Sequence, residues 1–200
     1  MKSPQNKPDD TMGINVSGHI LIRDKLTGQE IVNKRNAIHY GNMAFIVAQA
    51  LNRQDDAFIH FMAFGNGATS VDTSGRVVYK SPRVTEGFDA GATLYNRTYE
   101  KVISDNTETD NIQVIPGVSY TDLQVTCTLG FNEPEGQQVF DSSTTNEGDF
   151  VFDELALYTF PSDGENIDES VMLTHVVFHP VQKSTNRIIE IIYTVRVQLS

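Results

Sequence analysis

The clearest alternation of apolar and polar residues lies in residues 187–200. Every odd position from 189 to 199 is apolar, and the even positions include Glu190, Thr194, Arg196 and Gln198. Because successive side chains of a strand point to opposite faces, this pattern predicts a long β-strand with one buried face. We expect an ordered strand at this place to close a sheet or to dock on a neighbouring molecule.

Other extended segments predict the rest of a β-rich fold. Residues 14–22 and 29–33 flank a turn at 25–28, which predicts a hairpin. Further strands are predicted at 59–64, 94–103, 121–131, 150–158 and 171–178. Roughly seven to nine mostly antiparallel strands indicate a mostly β fold, an antiparallel β-sandwich of jelly-roll-like type.

One helix interrupts this pattern. Asn42 is predicted as its N-cap, and residues 43–51 follow with apolar side chains on almost every side. A helix that is apolar all round is typical of the protein interior, so the sequence predicts one buried α-helix.

The chain divides into a polar N-terminal arm, residues 1–12, and a single domain, residues 13–200. The arm has no apolar central region and is not a signal peptide, so it is either disordered or ordered against a partner. Long polar loops are predicted at about 104–120 and at 132–149, and loops of the second kind are often functional. No apolar run approaches the length of a membrane span.

Charge and cysteine content narrow the classes of function. The formal net charge is −11 with a pI near 4.7, which disfavours nucleic-acid binding and favours a solubility role for the charge. The single cysteine, Cys127, excludes an internal disulfide and is in phase with Val125 and Leu129. It is therefore predicted as a core residue of a protein that folds in a reducing cytosol.

Titratable residues give no strong catalytic or metal-binding pattern. His175 and His179 share a strand face but stand roughly 13 Å apart, too far to hold one ion. Asp153 and Glu154 point to opposite faces, so we expect one to turn inward and pair with a backbone amide or with Lys183 or Arg187. A glycosidase cleft stays open at this point. No catalytic residue, metal ligand or cofactor is predicted.

Two acidic loops and one glycine pair have structural interpretations. The loops at 105–110 and 163–169 do not fit the EF-hand spacing and are read as solvated. Gly65 and Gly67 flank Asn66, which predicts either a turn with positive φ or a close backbone approach. The context of a phosphate-binding loop is absent.

Several segments together resemble the β-rich attachment domains of tail-collar and tail-fibre proteins of tailed bacteriophages. They are the hairpin exit at 36–39, the apolar helix, and the three segments 59–67, 152–158 and 173–183. The family pattern includes a Gly-x-Gly segment, a strand that opens with Glu, and a Pro-hydrophobic-x-Lys turn, here Pro180 to Lys183. The resemblance covers about a third of the chain, and the sequence lacks the family's fibre shaft and receptor-binding tip.

The resemblance implies a non-enzymatic structural component of a tailed-phage virion, assembled in the host cytoplasm. Such a protein acts as an oligomeric adaptor, collar or fibre-attachment protein of the neck, tail or baseplate. Its partners would be other copies of itself, as a trimer or higher oligomer, and other virion proteins, with no nucleic acid and no membrane. The candidate partner contacts are Glu190, Arg196, Lys183 and Asn66.

Two alternatives remain open. A capsid decoration protein needs the same physical properties as an adaptor or collar. A carbohydrate-binding module is a more distant possibility, against which the absence of Trp counts, because sugar rings usually stack on exposed aromatic side chains.

Overall fold

The computed structural model describes residues 13–135 and 151–199. The chain is mostly β, with one α-helix, α1 (Tyr40–Leu51), and a short 3-10 helix (Ile167–Glu169) in these ranges. The strands are β1 (Ile14–Asp24), β2 (Glu30–Ile38), β3 (Ile59–Gly65), β4 (Thr69–Val71), β5 (Val77–Tyr79), β6 (Arg97–Val102), β7 (Asn111–Pro116), β8 (Tyr120–Leu129), β9 (Val151–Thr159), β10 (Thr174–Gln182) and β11 (Ile189–Leu199).

Nine strands form one antiparallel sheet in the order β6-β3-β9-β10-β2-β1-β11-β8-β7, and β4 pairs with β5 alone. β11 lies between β1 and β8, with a register that runs from Ile14 opposite Leu199 to Asp24 opposite Ile189. Its apolar side chains, such as Ile191 and Tyr193, lie in the core. The predicted long strand with one buried face is therefore confirmed.

The sheet is strongly curled. Phe64 of β3 and Leu129 of β8 belong to strands near opposite edges, yet both line the same small gap in the core. Lys101 of edge strand β6 also donates from Nζ to the carbonyl oxygen of Thr128 in β8, at 2.6 Å. The sheet thus wraps around one apolar core. Its division into the two layers of a sandwich stays a prediction.

The first hairpin forms as predicted. One oxygen of the Asp24 side chain accepts hydrogen bonds from the backbone N–H groups of Leu26 and Thr27, at 3.0 and 2.9 Å. Gly28 closes the turn with a φ of +73°, a conformation that side chains with a Cβ adopt rarely. Local turn chemistry is sufficient to place this connection.

Helix α1 departs from its prediction in two ways. It begins at Tyr40, and its N-cap is His39, whose Nδ1 accepts from the backbone N–H of Asn42 at 3.3 Å. Asn42, the predicted cap, is instead the buried residue of the helix. The prediction of a buried helix was wrong, because apolar residues such as Leu51, 82% exposed, face solvent.

Two segments differ from the predicted loops. β7 forms within the loop predicted at 104–120 and pairs with β8 along its length. β10 runs past Pro180 to Gln182, with a register shift between Val177 and Val181 that accommodates the missing N–H of proline. The arm at 1–12 and most of the loop at 132–149 lie outside the described residues.

Candidate functional site

Two adjacent carboxylates lie at the centre of a polar buried region. Asp153 and Glu154 belong to β9, and both side chains are buried and accept from backbone N–H groups of the same short segment, residues 67–69. Asp153 accepts from the backbone N–H groups of Ala68 and Thr69, at 3.0 and 2.7 Å, and from the Thr69 hydroxyl. The carboxylate therefore holds the start of β4 against the sheet.

Glu154 accepts more hydrogen bonds than its neighbour. Its Oε1 accepts from the backbone N–H groups of Gly67 and Asn96, at 3.2 and 2.9 Å. Its Oε2 accepts from the backbone N–H of Tyr95 at 2.9 Å and from Nε2 of His175 at 2.9 Å. Both Glu154 and His175 are fully buried. The carboxylate thus joins three segments that are distant in the sequence.

The hydrogen bonds fix the tautomer of His175. Its Nδ1 accepts from the backbone N–H of Arg83 at 2.7 Å, so Nδ1 carries no proton. The proton of the neutral ring is then on Nε2, which donates it to Glu154. Both ring nitrogens have partners inside the protein, and the ring is locked in one orientation.

The two carboxylates have opposite pKa shifts. Burial raises the pKa of Glu154, but hydrogen bonds from His175, Tyr95 and Asn96 outweigh burial and leave it below its ordinary value of 4.5. Burial also raises the pKa of Asp153, and the hydrogen bonds from Thr69 and Ala68 offset only part of that rise. The folded protein favours an ionised Glu154 more than an ionised Asp153.

Gly65 and Gly67 allow this close packing. A Cβ on Gly65 would lie 2.5 Å from the carbonyl oxygen of Asn96, and a Cβ on Gly67 would lie 2.8 Å from its backbone nitrogen. Neither glycine has a positive φ. Of the two interpretations predicted for the glycine pair, the close backbone approach is therefore the correct one.

The carboxylates act here as an internal scaffold. They fasten the irregular segment that contains β4, β5, Tyr95 and Asn96 to the outside of β9 and β10. The prediction that one carboxylate turns inward toward a backbone amide is confirmed, and in fact both do. The predicted cations were wrong, because Lys183 donates to the carbonyl oxygen of Ser184 at 2.9 Å and Arg187 pairs with Asp24.

A second polar cluster anchors α1. Asn42 donates from Nδ2 to the carbonyl oxygens of Met172 and Asp89, and its Oδ1 accepts from the backbone N–H of Asp89. Gly41 packs so closely that a Cβ would lie 2.1 Å from the backbone of Gly87. The Phe45 ring lies 4.3 Å from that of Phe88. The first half of the helix is thereby fixed to residues 87–89.

The four candidate partner contacts lie apart from one another. Glu190 is largely buried and pairs with Arg23 and Lys25, and Lys183 is 1% exposed. Arg196 pairs with Asp122, and its guanidinium lies 3.7 Å from the centre of the Tyr120 ring. Asn66 accepts from Nδ2 of Asn96. Their role in partner contacts stays a prediction, and the burial of Glu190 and Lys183 leaves these two little surface to offer.

The remaining histidines have separate partners, whereas Asp110 and Glu133 both pair with Lys101, at 3.4 and 2.7 Å. His179 is exposed and interacts through Nδ1 with the Tyr79 hydroxyl at 3.0 Å, far from the buried contacts of His175. Asp163 accepts from the backbone N–H groups of Glu165 and Asn166 within its own loop. Among the described residues, no group of three or more His, Cys, Asp or Glu is arranged to hold a metal ion.

A polar groove of about 660 Å³ runs along the outer face of the sheet. It crosses the ends of β1 and β11 and includes Asn15, His19, Thr194 and Gln198, with Arg196 at its side. These are the polar positions of the alternating pattern, so this face was predictable from the sequence.

An apolar groove of about 600 Å³ lies between α1 and the other face of the sheet. No residue that lines it is charged, and Ser104 and Asn106 are its polar members. The helix contributes Met43, Ile46 and Val47, and the sheet contributes Leu123, Val195 and Val197. Sequence reasoning missed this groove, because an apolar side chain at the rim has the same pattern as one in the core.

Comparison with protein-family models, with curated proteins and with solved structures gave no match to this chain. No helix in the described ranges is long and apolar enough to cross a membrane.

Proposed function

We propose that this chain is a non-enzymatic structural component of a tailed-phage virion. It would act as an oligomeric adaptor, collar or fibre-attachment protein of the neck, tail or baseplate. This proposal rests on one observation. Three of the segments that carry the sequence resemblance are in contact in the folded chain. The Glu154 carboxylate of the segment 152–158 accepts from Gly67 of the segment 59–67 and from His175 of the segment 173–183.

The buried chemistry supports a scaffolding use of these residues. Asp153, Glu154 and His175 are buried, and their described partners are groups of the protein itself. A substrate would have to displace those groups to reach the carboxylates. The same contacts hold an irregular surface segment rigidly on the sheet, as an assembly module requires.

The finer architecture belongs to the same proposal. The curled sheet brings Phe64 of β3 opposite Leu129 of β8 across the core. We take the two halves of the sheet as the two layers of a jelly-roll-like sandwich, in which edge strands β6 and β7 limit the layers.

The partners proposed are other copies of the chain, in a trimer or higher oligomer, and neighbouring virion proteins. The net charge of −11 supports protein partners over nucleic acid, because an acidic surface repels phosphate. The site of action would be the virion, after assembly in the host cytoplasm.

Purified particles test the proposal. Mass spectrometry of intact particles, separated tails and tailless heads should detect the chain in particles and tails, and cryo-microscopy should place it there. Detection of the chain on tailless heads alone would indicate a capsid decoration protein instead of a tail component. Absence of the chain from all particles, with abundant soluble protein in infected cells, would refute a structural role.

The polar groove supports glycan binding as a second candidate function. Its lining offers the amide and hydroxyl groups of Asn15, Thr194 and Gln198, which suit the hydroxyl groups of sugars. The Tyr120 ring beside it is covered on one face by Arg196, which lessens its use for stacking. Saturable binding on a glycan array, abolished by Gln198→Ala, would support this candidate, and an empty array would remove it.

A further inference from the structure

The apolar groove belongs to a larger exposed surface, which we call the docking face. It consists of the groove and the exposed apolar side chains that continue it along α1 and the sheet. On the helix, Val47 and Leu51 extend the stripe that begins at Met43, since residues three, four, seven and eight apart share one side. Leu51 is 82% exposed at the end of this stripe.

The sheet continues the docking face by its register. Leu199 lies two residues beyond Val197 on the same side of β11, and Ile14 is its partner in β1. Val114 of edge strand β7 lies opposite Leu123, which lines the groove. The exposed fractions of Ile14, Val114 and Leu199 are 59%, 69% and 58%.

The size of this face reaches the upper end of the range for a monomer's largest apolar patch. With Val47, Phe58 and Val197 included, the exposed apolar side chains present roughly 600 Å². A monomeric protein's largest apolar patch is of about 300–600 Å², and a stable interface buries about 800 Å² on each partner. Polar residues around this apolar centre would supply the rest of the area that a stable interface buries.

The chain segments outside the described residues fit this face poorly. The arm at 1–12 precedes Ile14 at the edge of the face, but its only large apolar residues are Met1 and Met12. The segment 136–150 leaves and rejoins the described chain near Glu135 and Val151. Val151 pairs with Gln182, nine residues and roughly 30 Å along the strand from Leu173 in the groove.

The uncharged lining of the groove permits a second copy of the same chain as the occupant. Two copies with a net charge of −11 repel each other, and a two-fold interface places identical groups near one another. The groove itself has no charged lining residue, so like charges are confined to its rim, where Asp105 lies between Ser104 and Asn106. The docking face also places the exposed stripe of α1 beside the groove. In a two-fold dimer, the stripe of each copy can therefore lie in the groove of the other copy.

We propose that two copies of this chain pair through the docking face in an isologous interface. This pairing deepens the function proposed above and rests on it, because hexamers and dodecamers of a virion can be built from such pairs. Within each pair, Leu51 of one copy inserts beside Val197 and Leu123 of the other.

Oligomeric state in solution tests the pairing. Sedimentation equilibrium of the full chain, from about 1 to 200 μM, should show a dimer or a multiple of two. Leu51→Glu and Val114→Glu should each raise the dimer Kd at least about tenfold, because each places a charge in an apolar contact. Both positions are mostly exposed in the single chain, and circular dichroism should confirm that the variants fold.

The matched control is Leu26→Glu. Leu26 is 62% exposed, but it lies in the β1–β2 turn at the other end of the strand from Ile14. This variant should dimerise like the wild type, and raised salt should not dissociate the dimer, since the contact is apolar. A wild-type monomer at every concentration, a trimer, or equal effects of all three variants would each overturn the pairing.

A cross-link gives an independent measurement. Cys127 is fully buried, and burial raises the pKa of its thiol far above the ordinary value, so an introduced cysteine is the reactive one. In a mixture of Leu51→Cys and Val197→Cys copies, a short bis-maleimide should link the two variants, and it should not link two copies of Leu26→Cys. The reverse pattern would refute the pairing. A monomeric chain that is nevertheless found in particles would leave the virion role standing and remove only this interface.

Discussion

Replacement of Glu154 by glutamine is the most direct test of the buried scaffold. The carboxylate accepts four hydrogen bonds, two at each oxygen. A glutamine has one oxygen and one NH₂ group, so in either orientation two N–H donors lose their acceptor and face another donor. His175 cannot relieve this by moving its proton, because Nδ1 already accepts from Arg83.

The expected cost of Glu154→Gln follows from these contacts. Each buried donor left without an acceptor costs about 1–3 kcal/mol. We therefore expect the free energy of unfolding to fall by about 3–5 kcal/mol, the range for breaking a buried charged pair. Such a loss is a large part of the total stability of about 5–15 kcal/mol that is usual for a domain.

Urea unfolding followed by far-ultraviolet circular dichroism measures this change, with tyrosine fluorescence as a second probe because the chain has no Trp. Glu165→Gln is the control, since it makes the same chemical change at an exposed loop position. A loss below about 1 kcal/mol for Glu154→Gln would refute the role given to these hydrogen bonds.

The pH dependence adds a signature that general destabilisation lacks. The pKa of Glu154 is lowered in the folded protein, so its carboxylate contributes stability above its ordinary value of 4.5. That contribution is lost as the pH falls from 4.5 through the lower folded pKa. The stability difference between wild type and Glu154→Gln should therefore shrink below pH 4.5. A constant difference down to acid unfolding would contradict the assignment.

Three further predictions concern other buried groups. Gly41→Ala should lower the free energy of unfolding by about 2 kcal/mol or more, because its Cβ meets the backbone of Gly87, and this cost outweighs the helix preference of alanine. Gly91→Ala, the control, should cost little in the same urea assay. Native Cys127 should resist Ellman's reagent until urea unfolds the chain, and rapid labelling of the native state would show that it is accessible. Burial lowers the pKa of Lys183 to about 8, so the wild type should gain stability as the pH rises from about 8 toward 10.5. Lys183→Met should abolish that gain in unfolding curves measured across the same pH range, and an unchanged slope would refute it.

Features with a local cause were predicted from the sequence. The strict alternation of β11 specified its buried face, and the turn that ends in Gly28 specified the first hairpin. The outward polar positions of the same strands, such as Thr194 and Gln198, follow from the strand period. Each depends on neighbours a few residues apart, which the sequence displays directly.

Features that depend on residues distant in the sequence were either missed or wrongly predicted. His39 replaced Asn42 as the helix cap because Asn42 is engaged by Asp89 and Met172, 47 and 130 residues away. Strand β7 formed in a polar segment because β8 offered it a partner. Glu154 pairs with His175 rather than with a lysine or arginine, because the curl of the sheet determines which side chains come into contact.

The sequence alone determined which residues are apolar, and the tertiary structure decided which of them face water. The alternation of β11 and the apolar helix α1 both predicted burial, but burial also requires a partner surface. The core supplies that surface for Tyr193 and Ile191, whereas α1 and the strand ends extend beyond it. Because a periodic pattern does not record how far the core reaches, the docking face became visible only when the sheet had curled and the helix was in place.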